Sequence, residues 1–465
     1  MKNVAFHNLG CKVNSYELDV VQQNFAEKGY KIVPFDQNAD IYIINTCTVT
    51  NIADRKSRQM LHQAKKRNPE AIVVALGCYV QTGKETVETD PCIDLAIGNN
   101  KKKDTVEIVE AYLADCKKEK TEHIIDINHT DEYEEMTLQA TGEHTRAYIK
   151  IQDGCNQFCT YCIIPFARGR VRSRMPEDIC SEIAGLVKKG YKEFVLTGIH
   201  ISSYGVDFLD ESVRKSLEEE RMQTVKEEAA NDAARYGKGT SLLLELILRI
   251  HKMDGVERIR LGSLEPQIVT EGFARTIGAL PKICPHFHLS LQSGCDETLK
   301  RMNRHYNTEQ FAEGVRRLRQ YFDKPAITTD VIVGFPGETE EEFALTEAFL
   351  KEIDFFEMHI FPYSIRKGTV AAGMKNQVDG EVKKQRSHCL LELEKQQSKV
   401  YREQFVGCEE TVLFEESKQI DGRSYAIGHT TRYVKVVKET EEDLSGKMVS
   451  GKIAGMFCDE ILLME

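Results

Sequence analysis

The 465-residue sequence has no apolar run long enough to cross a membrane as a helix. Its first residues, Met1-Lys2-Asn3-Val4-Ala5-Phe6-His7, lack the apolar stretch of a secretory signal. A soluble, cytoplasmic protein with no membrane partner is therefore expected. Positive charge is not in surplus: 62 Lys and Arg stand against 73 Asp and Glu, a formal net charge of −11. A uniformly basic nucleic-acid coat is excluded, and any RNA site must be a local basic face on an acidic body. Cysteine, by contrast, is plentiful. Fourteen cysteines in a large chain without an export signal do not make a disulfide framework, so metal or redox chemistry explains them better. A chain of this length should fold as two or three domains.

Three cysteines form the compact series Cys155-x3-Cys159-x2-Cys162. Thiolates this close can cover one face of a cubane iron–sulfur cluster and leave its fourth iron open to a small molecule. Zinc is the competing reading. It usually takes four ligands from two paired knuckles, and no fourth Cys or His stands in register here. On spacing alone, zinc or plain reduced core cysteines stay open beside the cluster.

Three further cysteines are scattered, but each follows an apolar segment. Val4 to Leu9 reads as a buried strand broken at Gly10-Cys11, Ile41 to Ile44 as a strand ending at Cys47, and Ala71 to Leu76 as a strand ending at Gly77-Cys78. Helical patterns lie between them, the first expected to be capped by Ser15 and the second to run from Asn51 to Arg67. Strand–helix alternation implies an α/β domain with a parallel sheet, whose ligands gather at the carboxyl ends of the strands. Cys11, Cys47 and Cys78 should thus converge at one rim. Cys92 and Cys116 lack that placement and read as structural. An acidic, polar stretch over residues 121–142 reads as a solvated linker.

From Arg146 onward, strand–helix units repeat as far as Pro362, which implies a parallel or partly open barrel with its site at the strands' carboxyl ends. A charged, helix-like insertion interrupts it at about 207–239. After a charged helix, residues 400–465 carry short alternating strands divided by Gly and Asp turns, the pattern of a small antiparallel β-barrel. Arg168, Arg170, Arg172 and Arg174 alternate directly after the cysteine series. If that segment is extended they share a face and could hold phosphates, although arginines in such a place more often form a solvated or salt-bridged rim. Arg55, Lys56, Arg58, Lys65, Lys66 and Arg67 read as a plain exposed helix face. Arg423, Arg432, Tyr433 and Lys435 could contact RNA by charge and stacking.

The Cys155 series, with Tyr161 in the aromatic position, resembles the signature of the radical S-adenosylmethionine enzymes. Asn8-Leu9-Gly10-Cys11-Lys12-Val13-Asn14, Asn45-Thr46-Cys47-Thr48-Val49-Thr50 and Leu76-Gly77-Cys78-Tyr79 resemble the amino-terminal domain of the methylthiotransferases. Their wording is most similar to the branch that acts on N6-threonylcarbamoyladenosine at position 37 of tRNA. The branches acting on isopentenyladenosine or on a ribosomal aspartate are the neighbouring alternatives, and a zinc-bound, non-catalytic RNA scaffold is the alternative of another class. The resemblance implies two [4Fe–4S] clusters, one on Cys155, Cys159 and Cys162 that binds and cleaves S-adenosylmethionine, and an auxiliary one on Cys11, Cys47 and Cys78 that carries the sulfur to be delivered.

The same resemblance puts Tyr161, Gly198, Ser290, Gln292 and Gly334 near the cosubstrate. The match around Gly334 is partial, because Asp330 stands in its first position. It implies residues 1–120 as the amino-terminal domain, 143–378 as a partial (β/α)6 barrel, and 400–465 as a TRAM domain. As partners it implies the anticodon stem-loop of tRNA, an electron donor such as flavodoxin or ferredoxin, and a sulfur source. The insertion departs from the family pattern.

Overall fold

The computed structural model of the protein describes residues 2–115, 120–130, 132–140, 145–209 and 241–465. Cys116 and residues 210–239 of the expected insertion lie outside the described residues.

The amino-terminal part is a six-stranded, fully parallel sheet in the order β2-β1-β3-β4-β5-β6. Its strands are β1 (Asn3–Asn8), β2 (Lys31–Val33), β3 (Ile41–Thr46), β4 (Ile72–Gly77), β5 (Leu95–Ile97) and β6 (Thr121–His123). Every residue of β3 and β4 is buried, because helices cover both faces, and this is why these strands read as unbroken apolar runs. Helix α1 (Lys12–Glu27) sends Tyr16, Val20, Val21 and Phe25 into one face of the sheet. Helix α2 (Asn51–Arg67), capped by the Thr50 hydroxyl, packs Leu61 and Ala64 against the other.

Two expectations change here. The first helix is not capped by Ser15. Gly10, at φ +107°, turns the chain so sharply that the helix begins at Lys12 with Cys11 in the cap position. The Ser15 hydroxyl accepts from Asn8 Nδ2 instead, at 2.8 Å. The acidic stretch is not a solvated linker either. It supplies β6, buries Met136 and Leu138, and sends the Tyr133 hydroxyl to the carbonyl of Lys150.

The middle of the chain holds six parallel strands in consecutive spatial order: β7 (Ala147–Asp153), β9 (Glu193–Gly198), β10 (Arg258–Leu261), β11 (His286–His288), β12 (Ala326–Val333) and β13 (Glu357–Pro362). An isolated parallel bridge, Ile259 to Ile283, links the β7–β10 sheet to the β11–β13 sheet. The two-residue strand β8 (Arg172–Ser173) runs antiparallel on the edge of β7. Intervening helices such as Pro176–Lys188, Leu242–His251 and Thr308–Tyr321 cover the outside and share one core with the strands.

After helix Gly380–Glu403, strands β14 (Glu409–Ile420), β15 (Arg423–Thr430), β16 (Lys435–Glu439), β17 (Met448–Cys458) and β18 (Ile461–Met464) close into a barrel in the order β14-β15-β16-β18-β17. It is not wholly antiparallel, because β16 and β18 pair in parallel. Five strands in a ring cannot alternate direction at every seam, so one seam must be parallel. Among the described residues no helix is long and apolar enough to cross a membrane.

Candidate functional site

Cys11, Cys47 and Cys78 follow the ends of β1, β3 and β4, which are neighbours in the sheet. The register pairs Asn8 with Asn45 and Thr46 with Gly77, so the three loops leave the sheet side by side. Glycine is required at the first of them: a Cβ on Gly10 would stand 3.1 Å from Cys47 Sγ. Asn99 Nδ2 donates to Cys78 Sγ at 3.5 Å and also to the carbonyl of Ala167 at 2.6 Å, which ties this rim to the turn after the second triplet. Burial pushes the Cys47 thiol up to about 11 and raises that of Cys11, although Arg168 behind them pulls in the other direction. Burial thus holds the Cys47 thiol protonated in the absence of a metal.

Cys155, Cys159 and Cys162 sit on the loop that follows β7. The loop is anchored on all sides: Cys155 N donates to Gly169 O at 3.0 Å, Thr160 N to Met302 O at 3.0 Å, and Ala371 N to Thr160 O at 2.8 Å. Asn303 Nδ2 reaches the carbonyls of Gln157 and Phe158 at 3.3 and 3.1 Å. Burial pushes Cys155 up to about 11 and Cys162 to about 12. Arg304 Nη1 lies 3.1 Å from Cys159 Sγ, with Nη2 on Glu265 at 2.6 Å.

The three thiols open into a cavity of about 320 Å³ that is also lined by Tyr161 of the same loop and by His200, Glu265, Ser290, Gln292, Arg304 and Asp330. Val49 and Thr50, just past Cys47, close its far wall. One chamber therefore touches the second triplet and the loop that carries a member of the first.

Among the described residues, the His, Cys, Asp and Glu trios whose ligand atoms all lie within 4.8 Å of one another are His62/Asp90/Cys92 and His288/Asp330/His359. Neither cysteine triplet is that tight. Thiolates on one tetrahedral zinc stand about 3.8 Å apart. Two sets of three thiols, with no carboxylate or imidazole within either set, are a donor set that suits iron–sulfur clusters.

Of the five residues expected near the cosubstrate, Tyr161, Ser290 and Gln292 line the cavity. Gln292 does so from a left-handed conformation, φ +69°, held by hydrogen bonds from its N to Asp330 O and from Ile332 N to its own carbonyl, both 2.9 Å. Gly198 ends β9 beneath the lining residues Ile199 and His200, and Gln152 packs where its Cβ would be. Gly334 is not part of the lining. Its N–H is held by the Glu338 carboxylate at 2.6 Å, and that carboxylate is itself paired with Arg386, so the turn is structural. Glu265 and Arg304 were missed. Each is a lone charged residue in a loop, with no spacing pattern to mark it.

The arginine row is corrected outright. Ile164–Arg168 is a helical turn and Gly169 reverses the chain at φ +71°, so the four residues do not share one extended face. Arg168, Arg172 and Arg174 are at most 1% exposed. Arg168 binds Glu17, Asp153 and Asn14; Arg172 binds the carbonyls of Arg168 and Arg170; Arg174 binds Glu182 and Glu135. Arg170 lies over the exposed ring of Phe158 at 4.5 Å.

The carboxyl-terminal barrel is corrected in the same way. Arg432 pairs with Asp323 and Glu410 and caps the carbonyl of Lys324. Tyr433 stacks on His286 and His429, beneath the guanidiniums of Arg146 and Arg260. These residues seal the small barrel onto the strand starts. Lys435 opens β16, half-buried.

Residues 3–98 match the uncharacterized protein family UPF0004, and residues 149–350 match the radical SAM superfamily. The chain is 41% identical over 454 residues to the threonylcarbamoyladenosine tRNA methylthiotransferase MtaB of Bacillus subtilis (strain 168), an alignment covering 97% of this chain and 94% of that protein. It is 38% identical over 447 residues to the protein of the same name from Aquifex aeolicus (strain VF5), covering 96% of this chain and 98% of the relative. Among solved structures, the radical S-adenosylmethionine methyltransferase TsrM of Kitasatospora setae aligns with a TM-score of 0.49 at 13% identity, over 78% of this chain and 73% of that one.

Proposed function

The chain belongs to the radical S-adenosylmethionine methylthiotransferase family, and we propose that it converts N6-threonylcarbamoyladenosine at position 37 of tRNA to its 2-methylthio derivative. The observation that carries this reading is the single cavity bounded by Cys155, Cys159 and Cys162 on one wall and by the Cys47 loop on the other. An aromatic C–H offers neither an acidic proton nor a leaving group, so side-chain acids and bases are inadequate for the substitution. The cofactors, two [4Fe–4S] clusters and S-adenosylmethionine, supply the radical and the sulfur.

The protein's part is placement. Cys155, Cys159 and Cys162 would hold the cluster that engages S-adenosylmethionine, and Cys11, Cys47 and Cys78 the auxiliary one. Tyr161, Ser290 and Gln292 shape the cosubstrate's pocket. Arg304, fixed by Glu265, puts a positive charge beside Cys159. Enclosure between the two walls excludes water and fixes the adenosine relative to both triplets.

Several finer features go with this reading. The six parallel strands are the partial (β/α)6 barrel, and the carboxyl-terminal barrel is a TRAM domain. Flavodoxin or ferredoxin delivers the electron, a separate donor supplies sulfur, and the enzyme works in the cytoplasm on the anticodon stem-loop. With three of the four clustered arginines buried, RNA approaches instead across the exposed start of α2. There Arg55 and Lys56 are exposed on the helix that follows Val49 and Thr50, which line the cavity.

Nucleoside mass spectrometry of tRNA from cells with and without the gene tests the reaction. Loss of the 2-methylthio-threonylcarbamoyl nucleoside on deletion is expected. Loss of the 2-methylthio-isopentenyl nucleoside instead would reassign the substrate. A colourless, zinc-bearing protein after anaerobic purification would overturn the cluster reading.

A further inference from the structure

The end of β13 and the loop after it, Phe361 to Ser364, line the cavity, as do Val49 and Thr50 of the Cys47 loop. Just beyond them the two segments are bonded together. Asn51 N donates to Ser364 Oγ at 3.2 Å, and Asn51 Nδ2 to the Ile365 carbonyl at 3.0 Å. Arg366 then lays its guanidinium, 9% exposed, on the start of α2. Nη1 donates to Asn51 Oδ1 and Asp54 Oδ2, and Nη2 to Thr48 Oγ1, each at 2.7 Å.

The contact does not stop at α2. Thr82 Oγ1 donates to the Cys78 carbonyl at 3.1 Å and lies 3.2 Å from Thr48 Oγ1. Because Thr82 gives its proton to Cys78, Thr48 is the donor of that pair, and its hydroxyl oxygen is left to accept from Arg366. A one-way relay thus runs from Arg366 through Thr48 and Thr82 to Cys78. Thr48 is fully buried, so water does not compete for it, and it directly follows Cys47. Cys11 is held separately, since Asn14 and Glu17 of its helix bind Arg168.

The position of Arg366 is not the one that adhesion would choose. It lies against the positive end of α2, where a cation is disfavoured and Asp54 has to offset it. A carboxylate there would hold the helix better. What the guanidinium offers is a planar fork that reaches α2 and Thr48 together.

We propose that Arg366 is a positioning residue that fixes Cys47 and Cys78 over the cavity, so that a radical formed at the second triplet meets the sulfur delivered from the first. This inference rests on the reaction proposed above and adds the residue that couples its two halves. Loss of the guanidinium leaves the second triplet and its pocket untouched but releases the Cys47 loop from the six-strand half. S-adenosylmethionine is then cleaved without transfer.

The test uses full-length, cluster-reconstituted protein and an anticodon stem-loop bearing the threonylcarbamoyl group. The quantity read is 5′-deoxyadenosine released per methylthio group inserted, alongside iron content and amide hydrogen exchange over residues 47–57. Arg366→Met should keep its iron, cleave S-adenosylmethionine at the wild-type rate and raise the ratio about 10- to 100-fold, the scale on which an ångström of misplacement acts. Exchange over residues 47–57 should quicken. Thr48→Val breaks the relay, keeps the pair between Arg366 and Asp54, and should raise the ratio as well. Arg366→Lys keeps the charge but cannot serve Thr48 and Asp54 with one ammonium, so it should rescue only in part.

An unchanged ratio in Arg366→Met overturns the proposal, and so does an equal loss of cleavage and transfer with iron retained. Should Arg366→Met lose iron, Thr48→Val decides, and a wild-type ratio there overturns it. Wild type that cleaves S-adenosylmethionine but modifies no stem-loop refutes the reaction instead. The clamp is then read from exchange alone, and unchanged protection over residues 47–57 in Arg366→Met overturns it.

Discussion

Replacing Glu17 with alanine is expected to destabilise the protein by about 3–5 kcal/mol, the cost of stranding buried charge. Glu17 is 1% exposed and lies where the two halves of the molecule meet. Its carboxylate binds Lys102 from its own half, and Lys150 at 2.7 Å and Arg168 at 2.8 Å from the other. Asp153 offers Lys150 and Arg168 a second partner, at 2.7 and 3.1 Å, but Lys102 has no other carboxylate among its ion pairs. Its ammonium, 1% exposed, would lose its paired carboxylate in the interior.

An entropy of unfolding of roughly 2.1 cal/mol/K per residue gives about 1.0 kcal/mol/K for a cooperative unit of this length, so the midpoint should fall by about 3–5 °C. Differential scanning calorimetry of wild type, Glu17→Ala and Glu17→Ala/Lys102→Met checks this. The double variant should recover part of the loss, because it removes the orphaned cation as well. Burial alone would raise the Glu17 pKa, but Arg168, Lys102 and Lys150 outweigh it and hold the carboxyl well below the usual range. The contribution is therefore present above the ordinary carboxylate pKa and lost as pH falls through the depressed one, so the gap between wild type and variant should narrow on acidification. A loss below about 1 kcal/mol, as for an exposed pair, would refute the reasoning.

The remaining predictions concern the two triplets and the RNA. Cys78→Ala should leave S-adenosylmethionine cleavage under dithionite largely intact and abolish methylthio transfer; equal loss of both would place Cys78 with the other triplet. Arg55→Ala and Lys56→Ala should each reduce the slope of log K against log salt for tRNA binding by about one. Arg172→Ala should lower the thermal midpoint and leave that slope unchanged. Gly154→Ala should prevent assembly of the cysteine loop: at φ +71° its Cβ would fall 1.7 Å from the carbonyl oxygen of Arg170, and iron content and folded yield report the result.

What was legible in the sequence followed periodicity and repeated position. The runs of β3 and β4 are apolar throughout because both their faces are covered, and three cysteines at successive strand ends mark one rim because parallel strands end together. Alternation misled at Arg168 to Arg174, since one turn of helix and a left-handed glycine destroy the shared face that an extended chain would have. The burial of Arg168 was illegible for a further reason: its partners Asn14 and Glu17 belong to the amino-terminal part, remote in sequence, and meet it only where the halves dock.

The corrected arginines also explain how two triplets on separate sheets can be held at a fixed separation. Arg168 lies six residues beyond Cys162, and Asn14 and Glu17 lie three and six residues beyond Cys11. Arg168 binds both, at 2.6 Å to Asn14 and 2.8 Å to Glu17, so each cysteine loop is joined by a short stretch of backbone to the same buried ion cluster. A mobile surface contact between the halves would let the cavity walls drift, and a displacement of about an ångström is enough to cost a reaction of this kind a hundredfold. Buried ion pairs are poor sources of stability compared with well-packed apolar side chains. Their presence here, directly behind both triplets, is better explained by the need for one unique docking geometry than by the strength of the fold.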